Sequence, residues 1–276
     1  MRFYKVHGLG NDFVLFDGRS AENVDWNALA KAVCNRRTGI GADGMLILLN
    51  SEQADVRMRV IGADGVETNV GGCDILAFAR CCFEIGAVHG TSFSVETVSG
   101  VLEPQILLKS GRVVAVRVGI GEPLLNAADI PANTDGKAVD LLLIEDGRTF
   151  PCTAMRVGTP HAAVFVDSPK DTDVKKYGPM IESDPMFPER ASVDFVEVLS
   201  NDRIRVRTWI RNHGETLASG TGACAAAVAC ALGGKTGRTV TVELALGRLL
   251  VEWSEEDDRL FLTGPAQTVF SGFWNA

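Results

Sequence analysis

The chain has 276 residues, 46% of them hydrophobic, and a formal net charge of −8. That length suits two domains of about 130 residues, each able to bury its own core, and the acidic balance argues against nucleic acid or an anionic membrane surface as a partner. No run of about 18 apolar residues is present, the opening residues lack a signal peptide's apolar centre, and seven cysteines fall outside any paired CxxC spacing, so the expectation is a cytoplasmic protein with reduced thiols and no metal site.

In chain order, residues 3–6 and 13–16 read as strands around the turn His7-Gly8-Leu9-Gly10-Asn11-Asp12. Residues 25–34 read as a helix capped by Asn23 or Asp25, followed by the glycine-broken loop 36–44 and apolar strands at 45–49 and 56–61. A small-residue helix is predicted over 74–85, then strands over 91–98, 101–109 and 112–120. The Pro-, Asn- and Asp-rich stretch 123–137 is the expected domain boundary. Beyond it come strands at 137–145, 148–157 and 162–166, then a polar loop at 168–190 with one helical turn near 180–183. Strands follow at 192–199 and 203–210; in the second, Arg203, Arg205 and Arg207 alternate with Ile204, Val206 and Thr208 as on a solvated sheet face. A second apolar helix opens from Ser219-Gly220-Thr221-Gly222, and strands at 239–244, 248–253, 260–263 and 269–273 close the chain.

The stretch leading into that second helix occurs twice. A shift of 148 residues lays Glu67-Thr68-Asn69-Val70-Gly71-Gly72-Cys73 over Glu215-Thr216-Leu217-Ala218-Ser219-Gly220-Thr221 and matches Ala77 with Ala225, Cys82 with Cys230 and Gly86 with Gly234. A period this long means two copies of one domain. Each copy offers a glycine-rich turn opening into a helix, whose first N–H groups and positive dipole end suit an anion. The plainer reading is a core helix capped by Ser219 or Thr221. Two helix starts meeting at one interface would make a cleft suited to a small molecule.

The motifs that carry a resemblance are Lys5-Val6-His7-Gly8-Leu9-Gly10-Asn11-Asp12-Phe13, Ala63-Asp64-Gly65, Gly158-x-Pro160-His161, Gly178-Pro179-x-Ile181-Glu182-Ser183, Phe187-Pro188-Glu189-Arg190-Ala191, Gly214-Glu215-Thr216-x-Ala218-x-Gly220-x-Gly222-Ala223-Cys224 and Thr263-Gly264-Pro265-Ala266. Taken together and in this order, they resemble diaminopimelate epimerase. The resemblance implies an α+β fold of two pseudo-symmetric domains, residues 1–120 plus 264–276 and residues 121–263, each a mixed, barrel-like β-sheet around a central helix. It also implies an isomerase without a cofactor, in which one cysteine per domain at the helix starts moves the α-proton of an amino acid. It points to a homodimer, on which the residues themselves are silent.

Carried across position by position, the family's first thiol falls on Gly71, its second on Ser219, and an asparagine on Cys73. Other polar positions fall on Gly44, Gly62, Thr159, Ser192 and Ile210, while Asn11, His161, Arg211, Gly72, Gly220 and the polar Thr221 keep the pattern. The anion cradle is therefore expected at Asn11, Gly71, Gly72, Thr159, Ser192, Arg211, Ser219, Gly220 and Thr221, without the two thiols. A helix-start thiolate can take a carbon-bound proton, whereas a serine hydroxyl needs a partner base and glycine offers nothing. The remaining acid–base candidates are Cys73, His161 and Glu215, each with a plainer role: a buried thiol, a histidine satisfied by backbone, and a cap shared with its twin Glu67. Asp43, Asp74, Asp194 and His213 rank below them as turn or cap residues.

The readings are then three. The first is an isomerase moving a proton, as a double-bond shift, in a small amino acid or cyclic amino-acid-like carboxylate, similar to the thiol-free phenazine-pathway isomerases of secondary metabolism. The second is a catalytically silent amino-acid or carboxylate-binding protein, and the third an amino-acid epimerase with relocated bases. A titratable group lining the cleft would favour the enzyme.

Overall fold

The structure, a computed structural model, describes residues 1–275. The chain divides into two compact units: Met1–Gly119 with the described residues from Thr263 onward, and Ile120–Leu262. In the first unit β1 (Arg2–Gly8) and β2 (Asn11–Asp17) form a hairpin, and α1 (Trp26–Cys34) brings β3 (Gly44–Leu49) back parallel to β2. β4 (Val56–Gly62) and the short β5 (Glu67–Thr68) lead into α2 (Gly72–Glu84), after which β6 (Val95–Thr97) joins β4 in parallel and turns into β7 (Gly100–Leu102). β8 (Gln105–Lys109) and β9 (Arg112–Gly121) make a further hairpin.

In the second unit β10 (Leu141–Glu145), β11 (Arg148–Val157) and β12 (Thr159–Phe165) are successive antiparallel strands. α3 (Val174–Glu182) then places β13 (Ser192–Ser200) parallel to β12. β14 (Arg203–Ile210), β15 (Gly214–Thr216), α4 (Gly220–Leu232), β16 (Thr239–Leu244), β17 (Gly247–Trp253) and β18 (Leu260–Gly264) complete it, with β16 parallel to β14. β19 (Gln267–Phe273) pairs with β1 in the first unit. The run from β1 to β7 with α1 and α2 thus recurs, element for element, as β11 to β17 with α3 and α4, down to the same two parallel pairings.

Strand alternation sets what each helix meets. In the second unit Ala162, Val164, Val193 and Phe195 pack with Phe150 toward Val174 and Ile181 of α3. The alternate residues of β13 and β14 lie under α4: a Cβ on Gly222 would come within 2.2 Å of Asp194 Oδ1 and 3.0 Å of Thr208 Oγ1. Nearly all of α4 is Ala, Gly, Cys and Val and is buried on every side, so small side chains let its backbone settle onto the sheet. In the first unit α1 covers Phe3, Val14, Phe16, Met45, Ile47 and Ile61 with Ala30 and Val33.

Three expectations change. The loop predicted over 168–190 contains α3, a nine-residue helix. Gly178 and Pro179 mask it in propensity, but Asp173 caps it through Lys176 N at 3.1 Å, and the Trp209 ring closes over Gly178, where a Cβ would lie 2.6 Å from the ring. The strand predicted over 91–98 shrinks to Val95–Thr97 and that over 101–109 divides in two, the hairpin turning at Gly100 with φ +118°. The arginine stripe on β14 is a solvent-accessible face that is also ion-paired: Arg205 bridges Glu197 and Glu243 at 2.8 and 3.1 Å, and Arg207 holds Glu215 at 2.6 Å.

Candidate functional site

The helix start of α4 is built from three elements of the second unit. Ser219 is its N-cap, in extended conformation, and its Oγ accepts the Gly222 N–H at 3.0 Å while its carbonyl accepts that of Ala223. The N–H groups of Gly220 and Thr221 have no carbonyl four residues back within the helix, and the dipole adds positive potential there. The Thr221 hydroxyl lies 3.4 Å from Ser219 Oγ, and its methyl borders the turn at Gly158 that leads into Thr159.

Beneath that helix start runs a chain of polar side chains across adjacent strands. Thr208 on β14 donates to Asp194 Oδ1 at 2.7 Å, Asp194 Oδ2 bonds His161 Nδ1 at 2.8 Å, and His161 Nε2 meets Thr159 Oγ1 at 3.4 Å. Asp194 and Thr208 are direct cross-strand partners, and His161 pairs in register with Ser192, two residues from Asp194. Asp194 and His161 are almost wholly inaccessible, while Thr159 is half-buried. The bond from Asp194 to Nδ1 fixes the imidazole ring with Nε2 toward Thr159, and a carboxylate there would accept the Nδ1 proton. The chain therefore ends in a hydroxyl that can be reached from outside. Ser192 Oγ accepts the Arg211 N–H at 3.1 Å, and the Arg211 guanidinium donates to Glu189 O at 2.9 Å.

The corresponding start in the first unit is arranged differently. α2 begins after Gly71, whose N–H is accepted at 2.8 Å by Asp74, the third residue of the helix. A Cβ on Gly71 would lie 3.0 Å from Asp74 Oδ1 and 3.1 Å from Oδ2, so this carboxylate fills the space beside the absent side chain. Burial pushes the Asp74 carboxyl up to about 6 against the lowering effect of its backbone hydrogen bonds, with the charge of Asp43 adding to the rise. The β1–β2 turn lies against the same helix start: a Cβ on Gly8, the register partner of Asn11, would come 3.2 Å from Cys73 Cβ. Next to this turn Asp12 pairs with Lys5 and, at 2.7 Å, with Arg36, which holds Asp43 at 2.8 Å.

Thr159, His161, Ser192, Arg211, Ser219, Gly220 and Thr221 are thus linked by contacts in one unit, and Asn11, Gly71, Gly72 and Cys73 lie about one helix start in the other. Two catalytic candidates change meaning. Glu215 Oε1 receives both Arg207 Nε and Nη2, at 2.9 and 2.6 Å, and its twin Glu67 is clasped the same way by Arg59 at 2.9 and 2.8 Å. The pair is a duplicated ion pair, and the caps are Gly71 and Ser219. Cys73 is 1% exposed and packed under Gly8, the place of a core thiol. Asp74 and Asp194, ranked low as turn or cap residues, are the buried carboxylates of the two helix starts. Among the described residues no group of three or more His, Cys, Asp or Glu side chains could hold a metal ion, and no helix is long and apolar enough to cross a membrane.

Two mixed-sheet units that share one repeated topology, each with a helix start beside a buried carboxylate, define the fold class. The same fold occurs in a PhzF-family phenazine biosynthesis protein of Bacillus anthracis, at 17% identity and a TM-score of 0.73 over 99% of this chain and 98% of that one. It occurs too in a hydroxyproline epimerase of Agrobacterium vitis solved with trans-4-hydroxy-L-proline, at 14% identity and a TM-score of 0.72 over 99% and 90% of the two chains. By sequence, the Diaminopimelate epimerase family matches residues 3–125 and 153–269, and the diaminopimelate epimerase of Moorella thermoacetica is 46% identical over 275 residues, 99% of this chain and 98% of that one. The chain belongs to the diaminopimelate epimerase family and is an isomerase.

Proposed function

We propose that this isomerase works without a cofactor on a small amino acid or cyclic amino-acid-like carboxylate, and that it moves a proton within it as a double-bond shift. The observation that carries the reading is the Thr208–Asp194–His161–Thr159 chain ending at the Ser219 helix start, where the family resemblance places a thiol. The substrate carboxylate sits on the Gly220 and Thr221 N–H groups, with the Ser219 and Thr221 hydroxyls beside them. Negative charge that spreads onto that carboxylate as the proton leaves is stabilised by the same donors and the helix dipole. The proton passes to the Thr159 hydroxyl as that hydroxyl gives its own to His161 Nε2; the half-buried hydroxyl exchanges with solvent, and the reverse transfer delivers a solvent-derived proton at another carbon of the substrate. Asp194 stabilises the imidazolium formed between the two steps. Gly71 and Ser219, at the positions where the resemblance places the two thiols, argue against standard two-thiol epimerisation.

Epimerisation by relocated bases is the second reading, favoured by the 46% identity to a relative named diaminopimelate epimerase. One experiment separates the readings. The protein is incubated in deuterium oxide with meso-diaminopimelate, L-proline and 3,4-dehydro-L-proline, whose ring double bond can move to the 2,3 position as the C2 proton is replaced at C4, and C–H signals are followed by proton NMR with chiral analysis of the products. Deuterium entering at a carbon other than the one that lost its proton supports the double-bond shift, and inverted configuration at the exchanging carbon supports epimerisation. Tight binding with no exchange in any compound refutes both and leaves a binding protein.

A further inference from the structure

β14 pairs with β13 along one edge, and its other edge is shared by two strands that do not meet. β15 covers residues 208–210 and β16 covers residues 203–205, so Val206 and Arg207 face a gap between them. The gap opens as a groove of about 640 Å³ within the second unit, a size suited to a small molecule. Its floor reaches the buried Thr208 and Ala218, and Leu217 and Leu244 give it an apolar wall. Leu217 is 51% exposed, so a ligand can reach that wall from solvent.

The cations of the groove are of two kinds. The arginines are committed: Arg205 bridges Glu197 and Glu243, and Arg207 holds Glu215 while donating to the carbonyls of Pro169 at 2.6 Å and Thr172 at 3.2 Å. Lys170 and Lys175 also line the groove and are exposed, and among the described residues their side chains make no ion pair or hydrogen bond. Of the acids on the same loop, Asp173 is turned to cap α3 through Lys176 N, and Asp171 does not line the groove. The charges of these two lysines are thus left over, in a chain whose net charge is −8.

The duplication provides a comparison. The 148-residue shift lays Arg205, Arg207 and Glu215 over Arg57, Arg59 and Glu67, and a shift of 147 lays Glu243 over Glu96. The first unit has the same gap, at Met58 and Arg59 between β5 and β6. It also has the same ion pairs, Arg59 with Glu67 at 2.8 Å and Arg57 with Glu96 at 3.6 Å. Where the second unit has Lys170 and Lys175, the first has Glu22 and Asn27. The paired arginines therefore belong to the fold, whereas the two unpaired ammonium groups belong to the second groove alone.

We propose that this groove is a binding site for a phosphomonoester, separate from the helix start of α4. A carboxylate ligand is best gripped by the planar fork of an arginine, and here Glu243 and Glu215 already occupy the forks of Arg205 and Arg207. Two ammonium groups with three donors each suit instead a compact dianion with three acceptor oxygens, which is what a phosphoryl group presents at neutral pH. The body of the ester lies along Leu217 and Leu244 toward Val206. The site takes no donor from the Gly220 and Thr221 N–H groups, so it stands apart from whatever reaction those groups serve.

Isothermal titration calorimetry at low ionic strength tests the site with phenyl phosphate, inorganic phosphate and phthalate, a dicarboxylate on the same ring. Phenyl phosphate is expected to bind the parent most tightly of the three, and less tightly as salt is added. Its affinity should fall at least about tenfold in Lys170→Gln/Lys175→Gln, with an unchanged thermal midpoint because neither lysine has a partner to lose. Amide shifts on binding should centre on Arg207, Leu217 and Ala245, which border the groove. Phthalate binding as tightly overturns the phosphoryl assignment, and inorganic phosphate binding as tightly makes free phosphate the occupant and overturns the ester. Binding that survives in the double variant, with shifts centred on Gly220 and Thr221, puts the anion on the helix start and overturns the groove as a site. So does the absence of binding by all three compounds. The isomerase reading is untouched by any of these results.

Discussion

Replacing Gly222 by alanine tests the polar chain beneath α4 directly. In an isolated helix the change would add about 1 kcal/mol of stability through propensity. Here the new Cβ would lie 2.2 Å from Asp194 Oδ1, with Ser219 Oγ and Thr208 Oγ1 each 3.0 Å away, so the carboxylate must move. Asp194 is fully buried and makes two hydrogen bonds, to Thr208 at 2.7 Å and His161 at 2.8 Å. Hydrogen bonds to a charged group contribute about 1.5–3 kcal/mol each, and a buried carboxylate that loses one is not compensated by water. Set against the propensity gain, the net cost is about 2–4 kcal/mol, or a midpoint lowered by roughly 5–15 °C for a chain of this size. Thermal unfolding followed by circular dichroism measures it, with Gly237→Ala as the control, since no atom lies within 4 Å of a Cβ there. If Gly222→Ala has the midpoint of the parent or a higher one, the carboxylate is not packed against the helix start and the relay is wrong.

Three further outcomes follow from the same contacts. The raised carboxyl of Asp74, about 6 against an ordinary 3.8, means the folded chain holds that proton more tightly than the unfolded one. Its contribution therefore makes the protein more stable as pH falls from about 6 to 3.8, by up to about 3 kcal/mol. Asp12, held down to about 2 by Arg36 and Lys5 against the effect of burial, opposes this only below 3.8, where its stabilising ionised form is lost. Thermal midpoints from pH 4.5 to 7.5 should rise toward acid in the parent and rise less in Asp74→Asn; parallel curves would refute the shift. Gly71→Ala should destabilise by about 1 kcal/mol through its 3.0 Å contact with Asp74, and that penalty should vanish in an Asp74→Ala background, as urea unfolding of the four-member cycle would show. Gly178→Ala should lower the midpoint by several degrees, because its Cβ meets the Trp209 ring at 2.6 Å and moves the indole N–H off Glu182, which it reaches at 2.6 Å; quenching or shift of the Trp209 fluorescence reports the displacement.

Much of the fold was legible because apolar alternation and glycine-rich turns are local signals. The repeat, too, carried more than was taken from it. The 148-residue shift places Trp26–Cys34 on Val174–Glu182 and the cap Asp25 on Asp173, so α3 could have been found from its twin although Gly178 and Pro179 hide it in propensity. It likewise places Arg59 and Glu67 on Arg207 and Glu215, which would have marked Glu215 as half of an ion pair. The Ser219 cap and His161 were readable from motif. Asp194 and Asp74 were not, because their importance lies in contacts across strands and in the space left by glycines 222 and 71, neither of which has a periodic signature. In both cases the only local hint was a charged residue inside an otherwise apolar run, Val193-Asp194-Phe195 and Cys73-Asp74-Ile75.

The exchange of carboxylate between strand and helix means that the halves of the duplication are no longer spare parts for each other. Copying the first helix start into the second, by Gly222→Asp, would force two acids into one hole beside Asp194; copying the second into the first, by Asp74→Gly, would remove the acceptor of the Gly71 N–H, and the strand position matching Asp194 is Leu46, which offers no carboxylate in its place. A chimera of two first halves or two second halves must therefore carry a matched pair of positions from strand and helix together. That makes this pair the natural seam for recombining one half with that of a relative.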